Sequence, residues 1–258
     1  MNPVSPAWLT ARPIAHRGLH ARDRGLIENS ASAALAAVAG GYAIECDVQS
    51  SRDGEAMVFH DFTLERLTGA GGRVDARTAS ELARIFLSGS SDRIMELPDF
   101  LRLIGPGTTL VCEIKSRFDG DMALAEAAAR HAAAWPGPLA LKSFDPRVVA
   151  HLRANRARLD LARTPLGIVA QANYDDPRGE WAALPPADKQ ALAQFLHFGE
   201  TRPDFLSWSV RDLPRATPFL CRTALGLPVM AWTVRTPEQA ATARLWADQA
   251  IFEGAAPP

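Results

Sequence analysis

Residues 42–48 read Tyr42-Ala43-Ile44-Glu45-Cys46-Asp47-Val48, and residues 109–115 read Thr109-Leu110-Val111-Cys112-Glu113-Ile114-Lys115. Successive side chains on a strand point to opposite faces. In the first stretch Tyr42, Ile44, Cys46 and Val48 share an apolar face, and Ala43, Glu45 and Asp47 share the other. In the second, Leu110, Cys112 and Ile114 oppose Val111, Glu113 and Lys115. The apolar faces suit packing on helices. The opposite faces then direct Glu45, Asp47 and Glu113 inward, near the C-terminal ends of their strands. In a parallel barrel that end is the mouth, where active sites sit.

The rest of the chain repeats the alternation of short apolar runs with longer Ala-rich ones that marks βαβ units. Eight strands are expected, at 13–16, 42–48, 109–115, 139–143, 166–169, 204–207, 229–233 and 250–252. Helices are expected at 30–39, opening after Asn29 as N-cap, and at 121–134, 146–154, 189–198, 213–225 and 237–247. The length, 258 residues, is close to the ~250 typical of a (β/α)₈ barrel. Residues 1–258 therefore read as one α/β domain, a (β/α)₈ TIM barrel. Asp53-Gly54 is a hairpin turn signal, so the second strand continues as a ribbon through Met57 to His60. Residues 61–107 exceed what one crossover needs and are expected as a small insertion over the mouth. They hold a Gly-rich loop at 68–72 and two short helices at 79–86 and 97–103. Phe86, Leu87, Ile94 and Leu97 are expected to form the insertion's own core.

A net charge of −1 with 22% charged residues gives no overall field for nucleic acid or an anionic membrane. The three cysteines, Cys46, Cys112 and Cys221, are too few and odd in number for a disulfide framework and suit a reducing compartment. The opening MNPVSPAWLTARP lacks the basic-then-apolar order of a signal peptide, and no apolar stretch approaches the ~18 residues of a membrane span. A soluble cytoplasmic protein without stable membrane association is expected. Oligomeric state is not legible.

Three carboxylates in a low-dielectric interior are costly and repel one another. A hard divalent cation resolves both problems. Pairing with Arg17, Lys115 or Arg52 is the other way to satisfy them. The first strand ends in His16-Arg17-Gly18, and the ribbon ends in His60-Asp61. Two histidines beside a metal at one mouth suit cleavage of a phosphodiester, which needs one proton taken from the attacking oxygen and one given to the leaving oxygen. Arg17 and Lys115 can offset the phosphate charge. His20, His131, His151 and His197 lie in loop or helical stretches and read as structural.

The segments IAHRGLH, ENS, AIECDVQSSRDGEAMVFHDFTLERLTG and VCEIK resemble the glycerophosphodiester phosphodiesterase family in its H-R-G, E-N-T, E-x-D, D-G, H-D and E-x-K blocks, in order, from Ile14 to Lys115. The resemblance implies a (β/α)₈ barrel with an insertion after the second strand. It implies Mg²⁺ or Ca²⁺ held by Glu45, Asp47 and Glu113, with His16 and His60 as the acid/base pair and Arg17 and Lys115 on phosphate. Ser143-Phe144 and the VMAWTVR segment match weaker family features, which would place Trp232 at the substrate; a packed barrel tryptophan is the other reading. Glu28 and Asn29 match a motif that shapes the loop and caps the helix.

Two departures stand out. Arg235 takes the place of the family's asparagine after W-T-V, and IFEGAAPP replaces the acidic-aromatic-proline ending of the eighth strand; either Glu253 stands in for the acid or the position is lost. The implied reaction is metal-dependent hydrolysis of small glycerophosphodiesters to sn-glycerol 3-phosphate and an alcohol. A phospholipase-D-like lyase of the same fold, releasing a cyclic phosphate, and a non-catalytic phosphate-ligand-binding barrel are the alternatives. The second is disfavoured because every proposed catalytic group is retained.

Overall fold

The structure is a computed structural model and describes residues 5–177 and 179–254. In chain order the elements are β1 (Ile14–His16), α1 (Ala31–Ala39), β2 (Ala43–Ser50), β3 (Ala56–Val58), α2 (Ala79–Leu82), β4 (Met95–Glu96), α3 (Leu97–Ile104), β5 (Leu110–Ile114), α4 (Ala123–Ala134), β6 (Leu139–Ser143), α5 (Pro146–Ala154), β7 (Leu166–Ala170), α6 (Pro186–Ala193), α7 (Phe198–Thr201), β8 (Phe205–Ser209), α8 (Ala216–Thr223), β9 (Val229–Val234), α9 (Pro237–Trp246) and β10 (Gln249–Phe252). Strands β1, β2, β5, β6, β7, β8, β9 and β10 are joined in that order by parallel pairing, and β10 returns to β1. This is the closed eight-stranded parallel barrel with intervening helices that the sequence predicts.

The two faces sort as the alternation requires. Ile44, Cys46, Val48, Leu110, Cys112 and Ile114 join the layer between barrel and helices, whereas Ile14, Ala43, Val111, Ala140, Phe205, Met230 and Ile251 fill the lumen below the mouth. Gly167 on β7 makes room there: a Cβ at that position would come within 2.3 Å of the Phe205 ring. All three cysteines are free and buried. Among the described residues no helix is long and apolar enough to cross a membrane.

Several local expectations change. The N-cap of α1 is Ser30, whose side chain accepts from the Ala33 N–H, because Asn29 is drawn into the site described below. The helix expected over 189–198 splits into α6 and α7, with Phe195 between them at φ 61°, a left-handed conformation that ends a helix. The first insertion helix stops at Leu82, after a Thr78–Glu81 capping box.

The insertion also differs from a lid. Leu87 and Ile94 pack with Ile27, Met57, Phe59, Leu64, Leu67, Val74 and Leu82, Leu97 joins the main core, and Phe86 stays half exposed with Arg93 over its ring. The insertion's apolar residues pack among themselves and on the β2–β3 ribbon, and Leu97, Phe100, Leu101 and Ile104 join the barrel core. No residue from 61–107 lines the mouth's cavity; the β7–α6 connection supplies that wall through Gln171, Asn173, Asp176, Gly179, Glu180 and Trp181.

Candidate active site

Strand register builds the site. His16 lies level with Glu45, Asp47 with Glu113, and Glu113 with Lys142 on β6. One oxygen each from Glu45, Asp47 and Glu113 falls within 4.8 Å of the others. All three side chains are buried, and Asp47 and Glu113 line a cavity of about 530 Å³ that also takes in His16, Arg17, His60, Lys115 and Trp232. Every expected site residue except Glu45 therefore borders one cavity, and Glu45 is fully buried with an oxygen 3.8 Å from His16 Nε2.

Buried charge demands compensation. Lys142 Nζ lies 2.9 Å from Glu45 and 3.1 Å from Glu113. Lys115 Nζ lies 2.5 Å from Glu113, 3.1 Å from Asp47 and 2.9 Å from Glu180. Arg17 places Nε 3.2 Å from Asp47 and donates its backbone N–H to Glu45. The ion-pair alternative is thus realised for Arg17 and Lys115, while Arg52 pairs with Glu81 at the surface. Lys115 bridges Asp47, Glu113 and Glu180. Its ammonium is anchored among carboxylates.

These contacts set the charges. Burial opposes ionisation of Asp47 and Glu113, but Lys115 with Arg17, and Lys115 with Lys142, outweigh it; Asp47 is held well below its usual range and Glu113 near about 2. Burial likewise disfavours charged Lys115, and Asp47, Glu113 and Glu180 reverse that. Glu180 is pushed up, since its burial exceeds the help from Lys115. Asn29 orients Asp47: its side-chain amide donates to Asp47 Oδ2 at 2.9 Å and accepts from the Asp47 N–H. The donor chemistry fits a hard divalent cation, with three convergent carboxylates and no thiolate on the cavity side.

Each histidine is tethered at Nδ1. His16 Nδ1 lies 2.5 Å from Glu253 Oε1, and its Nε2 lies 3.8 Å from Glu45. His60 Nδ1 lies 2.6 Å from Asp61 Oδ1. Arg66 clamps Asp61 and reaches back to Glu28, which in turn holds Arg17. Tethering at Nδ1 leaves the second ring nitrogen available for proton transfer. Trp232 donates its indole N–H to Ser207 O and stands edge-on to Phe144, which packs against Trp181. It is at once packed and cavity-lining.

Lys142, Glu180 and Trp181 are absent from the sequence-derived site. Lys142 was within reach: in β6 it shares a face with Ala140, opposite Leu139 and Leu141, by the same alternation that picked out Glu45. Glu180 and Trp181 come from an irregular loop with no periodicity to read.

A model of the glycerophosphoryl diester phosphodiesterase family matches residues 16–253. No match is found among curated protein sequences. Among solved structures, the chain is similar to an Oleispira antarctica phosphodiesterase in complex with the product sn-glycerol-3-phosphate, at 20% identity and TM-score 0.73, over 95% of this chain and 94% of that one. A Thermotoga maritima glycerophosphodiester phosphodiesterase matches at 21% identity and TM-score 0.66, over 93% and 92%. One from Parabacteroides distasonis matches at 18% and 0.68, over 93% and 92%. At these identities the likeness establishes the fold, a (β/α)₈ barrel. The family match spans nearly all of the sequence, and this chain belongs to the glycerophosphoryl diester phosphodiesterase family of enzymes.

Proposed function

We propose that the chain, acting as one barrel unit, hydrolyses glycerophosphodiesters to sn-glycerol 3-phosphate and an alcohol. The observation that carries this is the convergence of a buried Glu45–Asp47–Glu113 triad with two Nδ1-tethered histidines at one cavity. Glu45, Asp47 and Glu113 would hold Mg²⁺ or Ca²⁺, which when bound polarises phosphoryl oxygens and makes the nucleophile more acidic. His16 and His60 move the protons, one accepting from the attacking oxygen and the other donating to the leaving oxygen. Arg17 and Lys115 offset the charge of the diester phosphate, Lys115 doing so from its anchored position. Trp232 and Phe144 offer an apolar wall to the carbons of the glycerol.

The sn-glycerol-3-phosphate bound by the Oleispira antarctica protein supports a small-molecule substrate of this class. The test is a panel of glycerophosphodiesters given to the purified, metal-supplemented protein, with sn-glycerol 3-phosphate as the product followed. Release from at least one diester is expected; none from any would overturn the reading.

A further inference from the structure

The two departures from the family pattern at the ends of β9 and β10 are each other's partners. Arg235 places Nε 2.7 Å from Glu253 Oε2 and its terminal nitrogen 2.9 Å from Glu253 Oε1. The Glu253 backbone N–H donates to Val234 O at 3.0 Å, which fixes the carboxylate-bearing residue against β9. Its Oε1 is then 2.5 Å from His16 Nδ1. The other basic group nearby, His20, has Nε2 3.9 Å away, beyond hydrogen-bonding distance. Burial of Glu253 works against its charge, but His16 and Arg235 together hold its carboxyl well below the usual range.

We propose that Glu253 is the positioning residue for His16 and that Arg235 clamps Glu253 in place, so that the Arg235–Glu253 pair fixes both the ring orientation and the tautomer of His16. An anionic oxygen at Nδ1 draws the ring proton to that nitrogen and leaves the Nε2 lone pair facing the triad. A bidentate guanidinium holds the carboxylate in one plane. The same three-part arrangement, arginine to carboxylate to Nδ1, recurs at Arg66, Asp61 and His60 on the other side of the cavity. There it is built within one short segment, residues 60–66; at His16 it joins residues more than 200 positions apart. Arg235 is the more exposed partner, so its contribution is the smaller.

This rests on His16 being a proton-transfer group, and the experiment separates the two claims. Glu253→Ala, Glu253→Gln, Arg235→Ala, His16→Ala and the His16→Ala/Glu253→Ala double variant are compared with the parent at saturating metal and substrate, with thermal unfolding to confirm folding. Glu253→Ala should lower kcat roughly 10- to 100-fold with little change in KM. Glu253→Gln, which keeps an acceptor oxygen, should lie between, and Arg235→Ala should be milder still. On the His16→Ala background, Glu253→Ala should cost nothing further, because a positioning group has nothing left to position. By ¹H–¹⁵N NMR of the parent enzyme, His16 should carry its proton on Nδ1, as a downfield signal absent from both His16→Ala and Glu253→Ala.

An equal fold-loss from Glu253→Ala on both backgrounds, an undiminished kcat in Glu253→Ala, or a His16 proton on Nε2 would each overturn the positioning role while leaving His16 in the mechanism. A fully active His16→Ala would overturn the reading of His16 itself, and the positioning role with it.

Discussion

Glu45 on β2 and Lys142 on β6 meet 2.9 Å apart at the barrel mouth, although β5 lies between their strands. Lys142 also reaches Glu113 and is fully enclosed, so it is a principal counter-charge to the triad. Replacing it with methionine keeps the volume and leaves two buried carboxylates short of a partner. Lys142→Met should destabilise the metal-free protein by about 3 kcal/mol, and a divalent cation should recover part of that. Urea unfolding with and without Mg²⁺ measures both. An unchanged unfolding midpoint would show that the triad does not depend on this lysine.

The two histidines should be separable from the others by rate. His16→Ala and His60→Ala should each lower kcat by roughly 10²- to 10⁴-fold, the range for positioned acid–base groups. His131→Ala and His151→Ala should stay near the parent, because their contacts are with Glu55 and Glu126, which do not line the cavity. Steady-state kinetics on one diester decides it.

Acid should weaken the charged girdle beside the site in a defined window. Burial raises the Glu28 carboxyl, but hydrogen bonds and charge from Arg66 and Arg17 overcome it and bring it from 4.5 down to about 2. A carboxyl lowered on folding stabilises fully above 4.5 and ceases to do so as the pH falls through about 2. The Tm advantage of the parent over Glu28→Gln should therefore be constant near neutrality and shrink between those limits. A gap that stays constant down to pH 2 would contradict this account of the Arg17–Glu28–Arg66 chain.

Substrate size follows from how the insertion folds. Its apolar residues are taken up by its own core, the ribbon and the barrel core, with Phe86 the large one left half exposed, and it lines none of the cavity. A surface for acyl chains would need a broader apolar patch. Glycerophosphoethanolamine should be cleaved with higher kcat/KM than the matching lysophospholipid in mixed micelles. A ten-fold preference for the lipid, about 1.4 kcal/mol of added transition-state binding, would contradict it.

What could be read in advance tracks the regularity of the backbone. Period-two alternation located the barrel strands and aimed Glu45, Asp47 and Glu113 correctly, because a strand's geometry ties residue number to face. The same rule reaches Lys142. It says nothing of Glu180, whose loop is held by contacts between residues distant in sequence, Glu180 to Lys115 and Trp181 to Phe144. Asn29 shows a different limit. An asparagine before a helix is a good cap in isolation, but its amide satisfies two atoms of a buried aspartate here, and Ser30 takes the cap. The division of the insertion's apolar residues between its own core and the barrel core is not legible either, because the position of a loop along the chain does not reveal which surface its apolar residues will cover.

The most direct measurement is a ³¹P NMR time course of glycerophosphoethanolamine with the protein in Mg²⁺ or Ca²⁺, after exhaustive chelation, and after the metal is returned. The diester signal should convert to that of sn-glycerol 3-phosphate, and the conversion should cease on chelation and return with either cation. Full turnover in the chelated sample would contradict the metal role of Glu45, Asp47 and Glu113, and a cyclic phosphate as the final product would contradict hydrolysis.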